Sequence, residues 1–222
     1  MKIKTLLNLD YEEIKDTKMY HEEVRLFSVK DKETNEVIGH FYIDLHPRDG
    51  KYGHAAVFGV QAGCLTGKQK PVAAMVCNFT KPSEEKPSLL THDEVETFFH
   101  EFGHVMHQVN TKVEYHKFSG TSVERDFVEA PSQMLENWCW NKESLQMMSA
   151  HYKDGSPLCE KLMDDLIKSK DSANGIFNMR QVMLAKMDQL FHTTSQVIRI
   201  FQIIYMRNYW QNFKLQVFFN LI

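Results

Sequence analysis

The segment between Thr91 and Val109 constrains the fold of this chain more than any other part of the sequence. It reads THDEVETFFHEFGHVMHQV, and its apolar residues recur every three or four positions. This spacing predicts an α-helix with one apolar face, which Thr91 or Asp93 can cap. Within the helix, His100 and His104 stand four positions apart. Their side chains therefore leave the same face, about one turn apart.

Two histidines at this spacing can bind one metal ion. Imidazole nitrogens bind Zn2+ at about 2.0 to 2.1 Å, and Glu101 lies about 100° round the helix from His100. Glu101 is thus placed to face the water that such an ion activates, as a general base. His-Glu-x-x-His on a helix is typical of zinc peptidases. The chain has 11 histidines in 222 residues, so the motif alone could arise by chance.

A catalytic zinc ion needs a third protein ligand and one open position for water. Glu129 follows His104 by 25 residues, which leaves room for a connector and for a second helix that returns to the first. Glu124, Asp126 and Glu136 are competitors. An acid in the first turn of a helix also complements the helix dipole without binding any metal. Spacing alone therefore leaves the third ligand open, with Glu129 as the first choice.

Three neighbouring residues are candidates for supporting roles. His107 lies three positions after His104 and could resemble a ligand, but we predict a surface or supporting position for it. His92 is predicted to cap the helix or to lie on the surface. A ligating histidine usually donates its free N–H to a carboxylate or carbonyl. Glu96, one turn before His100, is a candidate for that acceptor.

The chain before this helix predicts a small sheet. VRLFSVKD and VIGHFYIDLH alternate apolar and polar residues on either side of a turn, which predicts a hairpin. HAAVFGV and PVAAMVCNF predict two further strands. Residues 1–25 are charged, with a weak helical periodicity.

The chain after this helix predicts further helices. APSQMLENWCW begins one of them, and Pro131 fits there only near the first turn. Residues 141–192 predict two or three more, broken at DGSP and SANG. We therefore predict a mainly α fold with a small β-sheet, in which more than half of the residues are helical.

Composition excludes several classes of protein. The formal net charge is −3, without the basic stripe of a nucleic-acid-binding domain. No run of about 18 apolar residues predicts a membrane helix, and the N-terminus lacks the apolar core of a signal peptide. The four cysteines have no close pair, which is typical of reduced thiols: Cys64, Cys77, Cys139 and Cys159. We expect a soluble, cytoplasmic protein.

Longer stretches of the sequence resemble the thimet oligopeptidase and neurolysin family of zinc oligopeptidases. The resemblance runs from residue 21 to near Thr193. It is carried by HEEVRLFSV, FYIDLHPRDGKYGHAAVFG, AAMVCNFTKP, HDEVETFFHEFGHVMHQ, FSGTSVERDFVEAPSQMLENW, HYKDGS and GIFNMRQVMLAKMDQLFHT. These motifs are too long and specific to match by chance.

The resemblance implies a zincin-like metallopeptidase core that hydrolyses short peptides. It implies one Zn2+ held by His100, His104 and Glu129, with Glu101 as the catalytic residue. The AAMVCNF strand and the KYGHAA loop resemble segments that line the family's substrate channel. We expect them to hold an extended peptide by main-chain pairing. The resemblance is also compatible with a mitochondrial location.

The sequence departs from the family at both ends. We expect an N-terminal segment at residues 1–20, a catalytic core at residues 21–193, and a divergent hydrophobic tail at residues 194–222 that favours self-association. The family's N-terminal helical lobe and its C-terminal oxyanion-stabilising residues find no match here. The alternative function is therefore a truncated, catalytically impaired zinc-binding fragment.

Overall fold

A computed structural model describes residues 7–15 and 17–193. In this part of the chain, five strands form one mixed sheet in the order β1-β2-β3-β5-β4. β3 and β5 are parallel, and the other neighbouring pairs are antiparallel. The strands are β1 (Leu9–Ile14), β2 (Arg25–Asp31), β3 (Val37–Asp44), β4 (Ala56–Gln61) and β5 (Val72–Val76).

The predicted hairpin is confirmed by the antiparallel pairing of β2 with β3. Phe27 lies opposite Phe41, and their rings stack with centroids 5.2 Å apart. Such cross-strand pairs are the unit of sheet stabilisation. The other two predicted strands also form, as β4 and β5.

Residues 9–14 form an edge strand rather than the helix that their weak periodicity suggested. Leu9 and Tyr11 alternate towards the core, as the period of a strand requires. On the opposite, exposed face of the strand, Glu12 forms an ion pair with Lys30 of β2 at 2.5 Å. Pairing with β2 thus outweighs the weak helical propensity of this charged segment.

The described helices match the predicted segments, although they are shorter overall than expected. They are α1 (His92–Val109), α2 (Ala130–Glu136), α3 (Lys142–Met148), α4 (Glu160–Ser169) and α5 (Asn174–Thr193), with short 3-10 turns at His116–Phe118 and Asn137–Trp140. Helices and a small sheet are confirmed. The expectation that more than half of the chain is helical is wrong, because α2 and α3 have only seven residues each and long connectors separate the helices.

The core lies between the sheet and one face of α1. Phe102 of α1 meets Phe41 of β3 edge to face, with ring centroids 5.6 Å apart. Val105 of α1 and Met75 of β5 are completely buried. Each such side chain contributes about 1.5 to 3 kcal/mol on burial. This packing fixes α1, and with it the histidine pair, to a rigid sheet.

The described residues divide into two compact units, with the boundary after Asp164. The sheet and α1 to α3 lie in the first unit. α5 lies in the second, where Met183 is buried. None of the described helices is long and apolar enough to cross a membrane.

Candidate metal centre

The histidine pair lies on the side of α1 that is not packed against the sheet. Thr91 caps the helix, accepting a hydrogen bond from the backbone of Glu94 while the Glu94 side chain accepts one in return. His100 and His104 are partly buried, and their ring centroids lie 4.9 Å apart. The predicted geometry, two imidazoles one turn apart on one face, is therefore present.

Gly103 allows α2 to approach this face closely. A Cβ at this position would lie 2.5 Å from the Cα of Ser132 and 2.9 Å from the carbonyl oxygen of Pro131. Both are backbone atoms, which cannot move aside as a flexible side chain can. Only glycine therefore permits the helix crossing that brings the start of α2 beside the histidines.

The connector between the two helices is anchored to α1. The Thr121 amide donates to Gln108, which is buried, at 3.2 Å, and the Gly120 amide donates to Thr111 at 3.0 Å. Gly120 has a φ of 57°, in the left-handed region that favours glycine. The chain that leads to Glu129 is thus held in place near its midpoint.

Glu129 lies at the start of α2 and faces both histidines. Its Oε2 is 3.2 Å from Nε2 of His100 and 3.1 Å from Nε2 of His104. The three ligand atoms all lie within 4.8 Å of one another, the one such group among the described residues. Ligands at about 2.0 to 2.1 Å from a tetrahedral zinc ion lie about 3.3 Å apart. The two distances from Oε2 of Glu129 fit that requirement.

Ser132 holds the Glu129 carboxylate. Its side chain is completely buried, and its hydroxyl donates to Oε2 of Glu129 at 2.8 Å. Burial raises the pKa of Glu129, but the Ser132 hydrogen bond and the nearby His104 and His100 lower it, and the net pKa lies below its usual value. The carboxylate is therefore ionised at neutral pH, as a metal ligand must be.

Glu136 is the carboxylate that orients His100. Its Oε1 lies 2.6 Å from Nδ1 of His100. With the proton on Nδ1, His100 donates to Glu136 and leaves Nε2 for a metal. The sequence-based choice of Glu96 for this role is wrong, because Glu96 accepts a hydrogen bond from Trp140 instead, at 2.7 Å. Glu136, counted above as a rival third ligand, lies seven residues after Glu129, about two helical turns further along α2, and is not part of the group of three.

Glu101 is buried in α1, with 7% of its surface exposed. Burial raises its pKa above the usual value; the neighbouring Glu129 charge adds to this rise and His100 opposes it. Glu101 directly follows His100 in α1 and is not a member of the ligand group. A raised carboxylate pKa favours proton transfer near neutral pH.

The remaining candidates lie outside the group. Glu124 and Asp126 are exposed on the connector. His107 is partly buried, with its ring 6.1 Å from that of Phe127. His92 begins α1 and its Nε2 lies 3.0 Å from the carbonyl oxygen of Cys139. Sequence reasoning missed the roles of Gly103, Ser132 and Glu136, because each depends on how two helices cross.

The strand expected to pair with substrate does not have a free edge. AAMVCNF, residues 73–79, overlaps β5, which pairs with β3 on one side and β4 on the other. Its backbone groups are therefore already used. β4 is the outer strand of this side of the sheet, and its Gly59 lies beside Gln108, one turn after His104 in α1.

Residues 1–218 match Peptidase family M3. The chain belongs to this family. It is 54% identical over 194 residues to the thimet-like oligopeptidase of Dictyostelium discoideum, covering 85% of this chain and 29% of that protein. It is 44% identical to saccharolysin of Saccharomyces cerevisiae and 41% identical to oligopeptidase A of Escherichia coli, covering 85% and 86% of this chain and 28% of each relative.

This chain thus spans less than a third of the length of these M3 relatives. The family match extends past Thr193 into the segment that the sequence analysis set apart as a divergent tail. Residues 194–222 lie outside the described residues, so their fold and their part in self-association stay predictions.

The three acids near this centre should differ in their effect on zinc binding. We expect Glu129→Ala to lose the most affinity, because it removes a ligand atom. Glu136→Ala should lose about 10- to 100-fold, the usual effect of losing a partner of a ligating histidine. Glu124→Ala should match the parent. Competition against a chromogenic chelator measures all three, and equal affinity would show that Glu129 does not bind the metal.

Proposed function

We propose that this M3 chain is a zinc-dependent endopeptidase core that hydrolyses short peptides. The observation that carries the proposal is the convergence of one ligand atom each from His100, His104 and Glu129 to within 4.8 Å of one another. A buried carboxylate, Glu101, lies beside them. Three protein ligands with one open position and an adjacent base are what a catalytic zinc centre needs.

Each side chain has a distinct task in the proposed reaction. A zinc ion at this centre would supply Lewis acidity towards a water molecule and a peptide carbonyl. Glu101 accepts a proton from the attacking water as the new C–O bond forms. It then delivers that proton to the amide nitrogen as the C–N bond breaks. A positioned general base and acid of this kind contributes about 10²- to 10⁴-fold to the rate.

The outer edge of β4 is the proposed seat of the peptide. An extended peptide can add to a free strand edge through main-chain hydrogen bonds. Phe58 and Val60 of this strand are exposed, at 46% and 58%. The register of β4 against β5 shifts between Gly59 and Gln61, a bulge of the kind that often lies next to active sites.

The relatives support the substrate class. Thimet-like oligopeptidase and oligopeptidase A are named for action on oligopeptides. We propose the same substrate class for this chain. We also propose a location in the cytoplasm or in mitochondria. A relative from Arabidopsis thaliana is named organellar oligopeptidase A, chloroplastic/mitochondrial. We propose no nucleic-acid or membrane partner.

A catalytically impaired zinc-binding protein is the second candidate. The match covers 28 to 29% of the M3 relatives, and contacts that those enzymes make to substrate or oxyanion can come from outside this part. Losing one oxyanion donor costs about 2.7 to 4 kcal/mol. Loss of substrate positioning adds to that cost.

Zinc and turnover measurements separate these candidates. We expect one zinc ion per chain. Zinc should raise the melting temperature, because the ion binds only the folded state. The chain should hydrolyse a quenched short peptide, and a chelator should stop this hydrolysis. Zinc binding with turnover at least about a thousandfold below that of a full-length M3 enzyme would select the second candidate. Failure to bind zinc would contradict both. A Glu129→Ala variant is the control, since its melting temperature should not respond to zinc.

A further inference from the structure

Lys51, in the loop between β3 and β4, carries a buried ammonium group. Its side chain is 3% exposed. Nζ lies 2.6 Å from the carbonyl oxygen of His46, 2.5 Å from that of Cys77 and 3.1 Å from that of Asp44. The Asp44 carboxylate is 2.9 Å away. An ammonium has three N–H donors, so its hydrogen-bonding capacity is filled entirely by protein groups.

These contacts join three parts of the chain. Asp44 ends β3, Cys77 directly follows β5, and the two strands are parallel neighbours. Their chains therefore leave the sheet at the same edge, where Lys51 links both to the loop of residues 45–55. This loop leads directly into β4.

A second tether on the same loop comes from Asn78, the residue after Cys77. The side-chain amide of Asn78 donates to the carbonyl oxygens of Tyr52 at 2.9 Å and His54 at 3.1 Å. At the far end of β4, the Gln61 side chain donates to the carbonyl oxygen of Lys70 at 2.7 Å. Both ends of the outer strand are thus fixed, while its middle remains exposed.

The acid that faces Lys51 is held in its charged form. Asp44 is 2% exposed and also accepts two hydrogen bonds from Arg48, at 2.7 and 2.8 Å, and one from Tyr20 at 3.0 Å. Burial raises the pKa of Asp44, but the hydrogen bonds from Arg48, Lys51 and Tyr20 outweigh it and lower the pKa to about 2. The ion pair therefore persists at any pH at which the protein would work.

We propose that Lys51 is a positioning residue for the peptide substrate, because its ammonium group fixes the loop of residues 45–55 and so presents the outer edge of β4 in one conformation. This inference rests on the proposed function. A strand edge that is already ordered loses less conformational entropy when a peptide binds, and binding is tighter for that reason. Lys51 does not contact the peptide; it acts through the loop and β4.

The test uses the full chain and the substitution Lys51→Met, which keeps the length of the side chain and removes its three donors. Asp44 keeps Arg48 and Tyr20 as partners. We expect faster amide hydrogen exchange across residues 52–61 than in the parent, with exchange in β2 unchanged. Lys30→Met is the matched control, because it removes only a surface ion pair with Glu12 and should leave residues 52–61 as they are.

Peptide affinity supplies the functional readout. In a Glu101→Gln background that does not hydrolyse the probe, a fluorescein-labelled decapeptide should bind about tenfold more weakly after Lys51→Met, a loss of about 1.4 kcal/mol. Zinc affinity should not change, whereas a general loss of structure would lower both. Unchanged exchange in residues 52–61, or faster exchange with unchanged peptide affinity, would overturn the proposal.

Two arms keep the result interpretable. If Lys51→Met does not fold, as judged by circular dichroism, Asn78→Ala is used instead, because it removes only the hydrogen bonds of Asn78 to Tyr52 and His54. This variant should speed amide exchange at residues 52–54 and weaken peptide binding by less than tenfold. Unchanged exchange together with unchanged peptide affinity would overturn the proposal. A parent chain that binds zinc but no peptide would contradict the proposed substrate, and with it the role of Lys51 in binding. Exchange would still show whether Lys51 holds the loop.

Discussion

Replacing Glu101 with Gln is expected to abolish peptide hydrolysis while zinc remains bound. Gln has nearly the same size as Glu, so it fits the buried position of Glu101, which is only 7% exposed. It cannot accept a proton from water near neutral pH. The ligand atoms belong to three other residues, His100, His104 and Glu129, and remain in place. Loss of a general base lowers the rate by about 10²- to 10⁴-fold.

The measurement pairs turnover of a quenched peptide with the zinc content of the same sample. Glu96→Gln is the matched control, since Glu96 lies on the same helix but accepts a hydrogen bond from Trp140, which Gln can also accept. This control should retain both turnover and zinc. Parental activity in Glu101→Gln would rule out Glu101 as the base, and loss of zinc would mean that Glu101 also supports the metal.

The sequence predicts those features of this centre that depend on α1 alone. The positions of His100 and His104 follow from helical geometry, and so does the location of Glu101 beside them. The cap at Thr91 is also local, because Glu94 lies three residues further on. None of these needs knowledge of the remaining chain.

Spacing alone could not decide which acid is the third ligand, because the position of that acid depends on how two helices cross. Glu129 reaches the histidines through the close approach at Gly103, and Glu136 reaches the other nitrogen of His100 from the next part of α2. Both acids lie on the same short segment, at distances from His104 that a flexible connector could accommodate equally. Spacing made Glu129 only the first choice among several acids, and the family resemblance then favoured it over its competitors.

The sheet shows the same division between local and distant information. Alternation predicted the strands of the hairpin, but not that β5 would insert between β3 and β4. Parallel pairing with β3 is a contact between distant segments, and it decides which strand has a free edge. The expectation that AAMVCNF and the KYGHAA loop hold the peptide rests on the family resemblance, and the pairing of β5 on both sides leaves AAMVCNF without a free edge.

Replacing Gly103 with Ala is expected to destabilise the protein and to weaken zinc binding together. The new Cβ would lie 2.5 Å from the Cα of Ser132, so α1 and α2 must separate. Overpacking of this kind costs about 1 to 3 kcal/mol, which exceeds the gain of about 1 kcal/mol from placing Ala rather than Gly in a helix. Because Ser132 holds Glu129, separation also moves the third ligand away from the histidines.

Thermal unfolding with and without zinc measures both effects. The melting temperature of Gly103→Ala should fall, and zinc should raise it by less than in the parent, because a ligand that binds the folded state more weakly stabilises it less. Gly175→Ala is the control: this glycine also lies in a helix, but nothing surrounds its Cβ position within 4 Å. That variant should be as stable as the parent or more stable, with zinc affinity unchanged. Parental zinc affinity in Gly103→Ala would mean that the position of Glu129 does not depend on the contact between α1 and α2.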